Sequence, residues 1–506
     1  MKLVELLKKA QIPYSDSLAD SLENLSVTDV THKSEEVKEG SLFIAIQGSR
    51  FDGHQLLKEV AQKGAVAALV EKKVTVSIPK IPVTDTKEAL IRVSQHFYGD
   101  PTSQLVVIGV TGTNGKTTFT FLMESILKVA EYRPGVIGTI NCRFGEETWS
   151  AGLTTPDAMT LQRLCARMRN KGATHLVMEV SSHSLDQGRV AGCHFDQAVF
   201  TNLTQDHLDY HGDMEGYFAA KSRFFNQYLP ASAKLKKLAV INIEDPFGQR
   251  LCGQISAPYC TYGGEGADFY AENIILGLDG TSFYLHTPLG NIKMKTPLIG
   301  HHNVANILAA VAAASGLNLD LTTMAEGVQS LTKVPGRLER IPHDRLYVFV
   351  DYAHTDDALT HVLTNLKALK GNGTLTTVFG CGGDRDKTKR PLMGKAVGRW
   401  SDAAIITSDN PRGEDPLQII SHIEQGMTGL MQRSHRARLH EYHVEVDRKK
   451  AIWTALSQAT PGDIVLIAGK GHETEQVIAG QRFPFDDRIV AKEALECLHP
   501  TKLPIS

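Results

Sequence analysis

The run VVIGVTGTNGKTTFTFLMESIL, Val106 to Leu127, restricts the fold more than any other stretch of the chain. It opens as a buried strand and closes with apolar residues at helical spacing, so Gly112 to Lys116 must turn strand into helix. Such a unit belongs to a parallel sheet covered by helices. Its turn aims backbone N–H groups and a helix N-terminus at phosphate oxygens. In the Gly-Lys-Thr sequence, Lys116 is placed to neutralise β/γ-phosphates and the Thr117 hydroxyl to ligate Mg²⁺. The spacing departs from the standard loop, whose first glycine would stand at Val110; the glycines here are Gly109 and Gly112. A variant turn is expected, and the alternative is a glycine-rich turn without a ligand.

The length of 506 residues predicts about three domains at roughly 150 residues each. Three blocks follow from the pattern. Residues 1–100 hold short strands such as LFIAIQG and AVAALVE and end at the breaker GDP. Residues 101–335 alternate strand, Gly-rich turn and helix, ending at the Pro-Gly hinge VPGRLER. In residues 336–506 four apolar, β-branched runs are each followed by a polar cluster. The clusters are Asp351 to His354, Gly383 to Asp386, Asp409 to Arg412 and Gly469 to Glu473. In an open parallel sheet the carboxyl ends of the strands share one edge, where ligands bind. The four clusters are therefore expected to converge. The fold class is α/β in three domains, the central one a P-loop-type parallel sheet.

A formal net charge of −2 gives no electrostatic case for nucleic acid. No apolar run reaches the roughly 18 residues needed to span a bilayer, and the N-terminus lacks the apolar core of a signal peptide. Seven scattered cysteines without a Cys-x-x-Cys pattern fit a reducing cytoplasm.

Other polar residues admit two readings each. Glu179 ends the strand HLVMEV, where a carboxylate could hold Mg²⁺ beside a γ-phosphate. His207, in TNLTQDHLDYHG, is either a loop or helix-cap group or a metal ligand. Lys221, in YFAAKSRFF, reads as a solvated helix lysine. Thr154 and Thr155 precede a Pro-Asp helix start that capping alone explains. Gln187 and Arg189 could clamp an anion or lie on the surface. Asn303 could cap a helix or lie against a base.

The segments GVTGTNGKTT, TTPDAM, EVSSHSLDQGRV, TNLTQDHLDYHG, YFAAK, GHHNVANILAA, PGRLE, DYAHTDDAL, GCGGDRDKTKRPLMG, SDNPRGEDP and GKGHE occur in that order. Together they resemble the Mur ligases, ATP-dependent amino-acid-adding enzymes of bacterial cell-wall precursor synthesis, and within them the branch adding meso-diaminopimelate. TGTNGKT is that family's form of the phosphate loop, and the resemblance implies an N-terminal α/β UDP-binding domain, a central P-loop-type parallel-sheet ATPase domain and a C-terminal Rossmann-like domain. The resemblance implies that Gly112, Thr113, Asn114, Gly115, Lys116, Thr117 and Thr118 hold ATP, with Asn303 at the adenine and Arg337 and Asp351 at the ribose. It implies Mg²⁺ at Thr117, Glu179 and His207, and a carbamylated lysine (N6-carboxylysine) at Lys221. Lys116, Glu179, His207 and Lys221 form the implied catalytic group.

UDP-N-acetylmuramoyl-L-alanyl-D-glutamate would meet Ser34, Thr154, Thr155, Ser181, Gln187 and Arg189. At Ser34 the segment THKSEEV departs from the family's Asp-Ser-Arg. Meso-diaminopimelate would meet Arg390, Asp409, Asn410, Arg412, Gly469 and Glu473. Its far carboxylate calls for a planar cation, which Arg412 of DNPR supplies. The expected protein is a cytoplasmic, monomeric amide ligase working through an acyl phosphate. The alternatives are another ligase of the superfamily, such as a folylpolyglutamate synthetase, or a nucleotide-driven switch.

Overall fold

The structure is a computed structural model that describes residues 1–48, 51–150, 152–431 and 441–498. Three α/β layers follow one another along the chain. The first sheet has four parallel strands in sequence order, Asp29–Thr31, Ser41–Ile44, Ala65–Val70 and Lys80–Pro82.

The second sheet has eleven strands, and the phosphate-loop strand Val106–Thr111 lies inside it, between Gln197–Phe200 and His175–Glu179. All three are parallel and buried along their length, which explains why they read as continuous apolar runs. The helix Lys116–Val129 turns Phe119, Leu122, Met123, Ile126 and Leu127 onto one face of this sheet. The alanine-rich helix His301–Ser315 packs into the same layer, its small side chains allowing close approach. On the opposite face sit Phe195, Phe224 and Phe225. Gly109 serves that packing: a Cβ there would lie 2.5 Å from the Phe224 ring and 2.9 Å from Phe195.

The central sheet is not purely parallel. Antiparallel strands Phe269–Gly277, Gly280–Thr287 and Gly290–Thr296 extend one edge, and the ribbon Cys142–Phe144 and Glu147–Trp149 extends the other. Gly280–Thr287 and Gly290–Thr296 set buried residues between more exposed ones, as antiparallel strands with one wet face do.

In the third sheet, four parallel neighbours run in the order Tyr347–Asp351, Ile464–Ala468, Leu375–Phe379, Ala403–Ile406. They are the four apolar runs of the sequence, so their polar clusters emerge along one edge. The chain crosses to this layer at Gly336, whose carbonyl accepts from Tyr352 N at 2.9 Å. Beneath the edge, the fully buried Arg448 guanidinium forms two 2.7 Å bonds with Asp487, joining helices Arg448–Gln458 and Asp487–Leu498. Among the described residues no helix is long and apolar enough to cross a membrane.

Candidate active site

The phosphate loop is held by its neighbours rather than by itself. Thr113 N donates to Asn202 O at 2.9 Å, and Asn114 N donates to the Asn202 side chain at 2.9 Å. Thr201 Oγ1 donates to Asn114 O at 2.7 Å. Two glycines let these groups close in. A Cβ on Gly112 would sit 1.8 Å from Thr201 Oγ1, and one on Gly115, at φ 88°, would sit 2.3 Å from Asn306 Oδ1. Lys116 folds over the turn and donates to the carbonyls of Gly112 and Thr113 at 2.8 and 2.9 Å. Thr117 and Thr118 are buried in the first helical turn.

Thr117 Oγ1 donates to Glu179 Oε1 at 2.9 Å. Glu179 is buried at the end of the adjacent strand and also accepts from Thr139, through the backbone N–H at 3.0 Å and the hydroxyl at 2.8 Å. Thr139 Oγ1 in turn lies 3.1 Å from Thr154 Oγ1. Thr155 bonds the Glu179 carbonyl at 2.9 Å and lies 3.4 Å from Ser181 Oγ, the N-cap of helix Ser182–Asp186.

Lys221 is not the solvated helix lysine that its local sequence suggests. It is 1% exposed and donates to Gly112 O at 2.9 Å, the same carbonyl that Lys116 reaches. Its ammonium stands 4.6 Å above the Tyr217 ring. Burial first, and the neighbouring Lys116 charge second, hold its pKa well below the usual lysine range. The helix Met214–Arg223 turns this residue inward together with Tyr217 and Phe218.

His207 has φ 54° at the start of the short helix Leu208–His211, with Nε2 3.4 Å from Asp206 Oδ2. Burial pushes its pKa down to about 4, so the ring is neutral at pH 7 with a lone pair to offer. His183 packs edge-on against it, with ring centroids 4.9 Å apart. Arg189 donates to Thr155 O at 3.0 Å and through two nitrogens to Gln187 Oε1. Ser34 lies apart in a 3₁₀ turn of the first layer, its carbonyl accepting from Lys63 at 2.9 Å.

At the hinge, Arg337 lies 3.4 Å from Thr117 Oγ1 and stacks over the Tyr352 ring at 4.7 Å. Asp351 is buried and accepts from the N–H groups of Leu338 and Ala353 at 2.5 and 2.7 Å. Asn303 is also buried; it donates to Ile299 O at 2.8 Å and accepts from Asn306 at 3.2 Å.

The edge of the third sheet gathers Asp409, Asn410, Arg412, Gly469 and Glu473. Asn410 Nδ2 donates to Glu473 Oε2 at 2.7 Å, and a Cβ on Gly469 would lie 2.8 Å from Asp409 Oδ2. Arg412, at φ 51°, donates from Nη1 to Gly383 O at 2.8 Å. Arg390 sits below this group, fully buried, its guanidinium forked onto Glu414 at 2.8 and 3.1 Å. A cleft of about 1430 Å³ runs between the second and third layers. Thr154, Thr155, Ser181, Arg189 and His207 form one wall, and Asp409, Asn410, Arg412, Gly469 and Glu473 the other. Residues 112–118, Glu179, Lys221, Arg337 and Asp351 do not line this cleft, nor do Ser34, Gln187, Asn303 and Arg390.

The chain matches three family descriptions in succession. They are the Mur ligase family catalytic domain over residues 26–98, the Mur ligase middle domain over 110–314 and the Mur ligase glutamate ligase domain over 336–471. This chain belongs to the Mur ligase family. It is 45% identical over 476 residues to the UDP-N-acetylmuramoyl-L-alanyl-D-glutamate–2,6-diaminopimelate ligase of Bacillus licheniformis, covering 94% of this chain and 95% of that protein. It is 45% identical over 467 residues to the ligase of the same name from Geobacter metallireducens, covering 90% and 91%. A solved structure bearing that enzyme name superimposes with a TM-score of 0.68 at 36% identity, over 95% of this chain and 97% of that one.

Mur ligases form amide bonds at the expense of ATP and use Mg²⁺, so this chain is an enzyme rather than a nucleotide-driven switch. The loop suits both. Mg²⁺ takes oxygen ligands and commonly keeps to one or two carboxylates plus substrate phosphates. The Thr117 hydroxyl beside the Glu179 carboxylate is such a set. Among the described residues no three His, Cys, Asp or Glu side chains gather into a cage of their own. Two residues that line the cleft of this Mur ligase, Thr139 and His183, carry no signal in the local sequence. Lys470, in the polar cluster Gly469 to Glu473, is fully buried and does not line the cleft.

Proposed function

We propose that this chain joins meso-diaminopimelate to the D-glutamate carboxylate of UDP-N-acetylmuramoyl-L-alanyl-D-glutamate, in the synthesis of peptidoglycan precursors. A carboxylate oxygen of the substrate attacks the γ-phosphorus of ATP, the bond to the β-phosphate oxygen breaks, and ADP departs. The amine of diaminopimelate then attacks the carbonyl carbon of the acyl phosphate. The tetrahedral adduct collapses by expelling phosphate, and the nitrogen loses its proton. The protein must hold two mutually repelling anions together and keep water from the acyl phosphate.

Gly112, Thr113, Asn114, Gly115, Lys116, Thr117 and Thr118 hold the triphosphate in this reading. Asn303 serves the adenine, and Arg337 and Asp351 the ribose. Thr117, Glu179 and His207 would hold Mg²⁺, which when bound screens the charge between triphosphate and carboxylate. Ser34, Thr154, Thr155, Ser181, Gln187 and Arg189 receive the UDP-sugar peptide; Asp409, Asn410, Arg412, Gly469 and Glu473 receive the amino acid, with Arg390, expected beside them, committed instead to Glu414. The units are residues 1–100 for the UDP-sugar, 101–335 for ATP and 336–506 for the amino acid. The enzyme acts as a cytoplasmic monomer.

The observation that carries the amino-acid assignment is Arg412 on the cleft wall, a planar cation across from Thr154 and Arg189. Incubation with the UDP-dipeptide, Mg–ATP and a panel of amino acids tests it by mass spectrometry. The expected product is the meso-diaminopimelate tripeptide, with lysine far behind. No ligation of diaminopimelate, or equal ligation of lysine, overturns the reading.

We also assign Lys221 as the site of carbamylation. Carbon dioxide adds to neutral amines, and burial beside Lys116 favours the neutral form. In ¹³C-bicarbonate a carbamate resonance is expected from the wild-type enzyme and absent from Lys221→Arg. The same resonance in both proteins would remove the assignment.

A further inference from the structure

Lys470 is fully buried at the edge of the third sheet, an expensive position for an ammonium. Its three donors are all spent. They reach Asn410 Oδ1 at 3.2 Å, Glu473 Oε2 at 3.0 Å and the Glu475 carbonyl at 2.6 Å. Asp409 Oδ1 is 3.9 Å away. One cation thus ties together the loop after Ala403–Ile406, the loop after Ile464–Ala468 and the first strand of the hairpin Glu475–Ile478 and Gln481–Pro484.

The consequence falls on Asn410. Its Oδ1 accepts from Lys470 Nζ and also from Val477 N at 2.9 Å. Rotating the amide by half a turn would set its NH₂ against two donors, so the network admits one orientation. Nδ2 is therefore the edge left over, and it lies on Glu473 Oε2. Lys470 and Asn410 share that one carboxylate oxygen, while Glu473 Oε1 has no protein hydrogen-bond partner among the described residues. The cleft wall consequently presents a fixed donor at Asn410 and a fixed acceptor at Glu473. That pairing matches the two ends of an amino acid's carboxylate and ammonium.

We propose that Lys470 is a positioning residue for the incoming amino acid. It touches no substrate and acts by locking the Asn410 amide and the Glu473 carboxylate in register. This claim rests on the functional reading above. It also explains a cost: an ammonium removed from water is tolerated because two carboxylates and two carbonyl oxygens surround it.

The test is a split of Michaelis constants in the full-length enzyme. In Lys470→Met the KM for diaminopimelate is expected to rise about 10- to 100-fold, with the KM values for ATP and the UDP-dipeptide unchanged. The double variant with Asn410→Ala should be no worse than the more damaged single variant, because both remove one unit. Should Lys470→Met fail to fold, Lys470→Arg carries the test. It keeps the charge but exchanges a compact three-donor head for a planar fork, and the same selective rise is expected. An equal rise in all three KM values, additive single effects, or a Lys470→Arg enzyme with wild-type KM for diaminopimelate overturns the proposal. Wild-type enzyme that does not ligate diaminopimelate would sink the functional reading itself, a different result from a wild-type enzyme that ligates and a Lys470→Arg variant that matches it.

Discussion

Lys116→Ala is expected to lower kcat by roughly three orders of magnitude. The reason is electrostatic. The Lys116 ammonium lies on the carbonyls of Gly112 and Thr113, over the turn proposed to receive the triphosphate. An aligned cation in a partly dry site stabilises charge that moves toward the leaving oxygen, and a single such group is worth about 10²–10³ in rate. Lys221 does not substitute for it. Its nitrogen shares the Gly112 carbonyl but is buried against the Tyr217 ring, away from the Thr113 carbonyl that Lys116 also reaches. Single-turnover release of phosphate, with all three substrates saturating, is the measurement. A Lys116→Ala enzyme within tenfold of wild type would remove this lysine from the chemistry.

Arg412→Ala is expected to cut kcat/KM for meso-diaminopimelate by about 10³–10⁴-fold and to leave that for lysine nearly as low as before. Arginine meets a carboxylate with two parallel bonds, and a buried site built for that anion rejects the analogue lacking it by about 10⁴-fold. The guanidinium is preorganised. Arg412 Nη1 is anchored on Gly383 O at 2.8 Å and its backbone N donates to Val477 O at 3.0 Å, so the hairpin and the GGD loop hold it from both sides. Its φ of 51° lies in the left-handed region, where a non-glycine residue stands under strain. Competition assays with both amino acids decide the matter. Unchanged discrimination between diaminopimelate and lysine in the variant would place the far carboxylate elsewhere.

Arg390 shows why such roles do not follow from residue type alone. It follows a polar cluster, in the first turn of helix Lys389–Trp400, yet its guanidinium is forked onto Glu414 and held by Gly382 O at 3.2 Å. Nothing local in KTKRPLMG distinguishes it from a free cation, because its partner lies 24 residues further on. Lys221 makes the opposite case. YFAAKSRFF reads as a helix with a wet lysine until the helix is rotated against the phosphate loop and the lysine turns inside.

Glycines divide in the same way. Gly112 and Gly115 belong to the loop, and the oddity of their spacing is visible in the sequence. The purpose of Gly109 is not, since it answers to Phe224, a ring more than a hundred residues away.

What the amino-acid order decides alone is therefore local and periodic. It decides the strand–turn–helix at Val106–Leu127, the apolar runs that become parallel strands, and the polar clusters that must leave them at one edge. It also decides the ordered motifs by which the chain joins the Mur ligases. Those properties depend on neighbours within a few residues, or on alternation that the chain carries with it. The tertiary structure decides which charges are spent and which are offered. Lys470, Arg390 and Lys221 differ in partners brought from distant loops, and the desolvation that sets their behaviour exists only once those loops have packed.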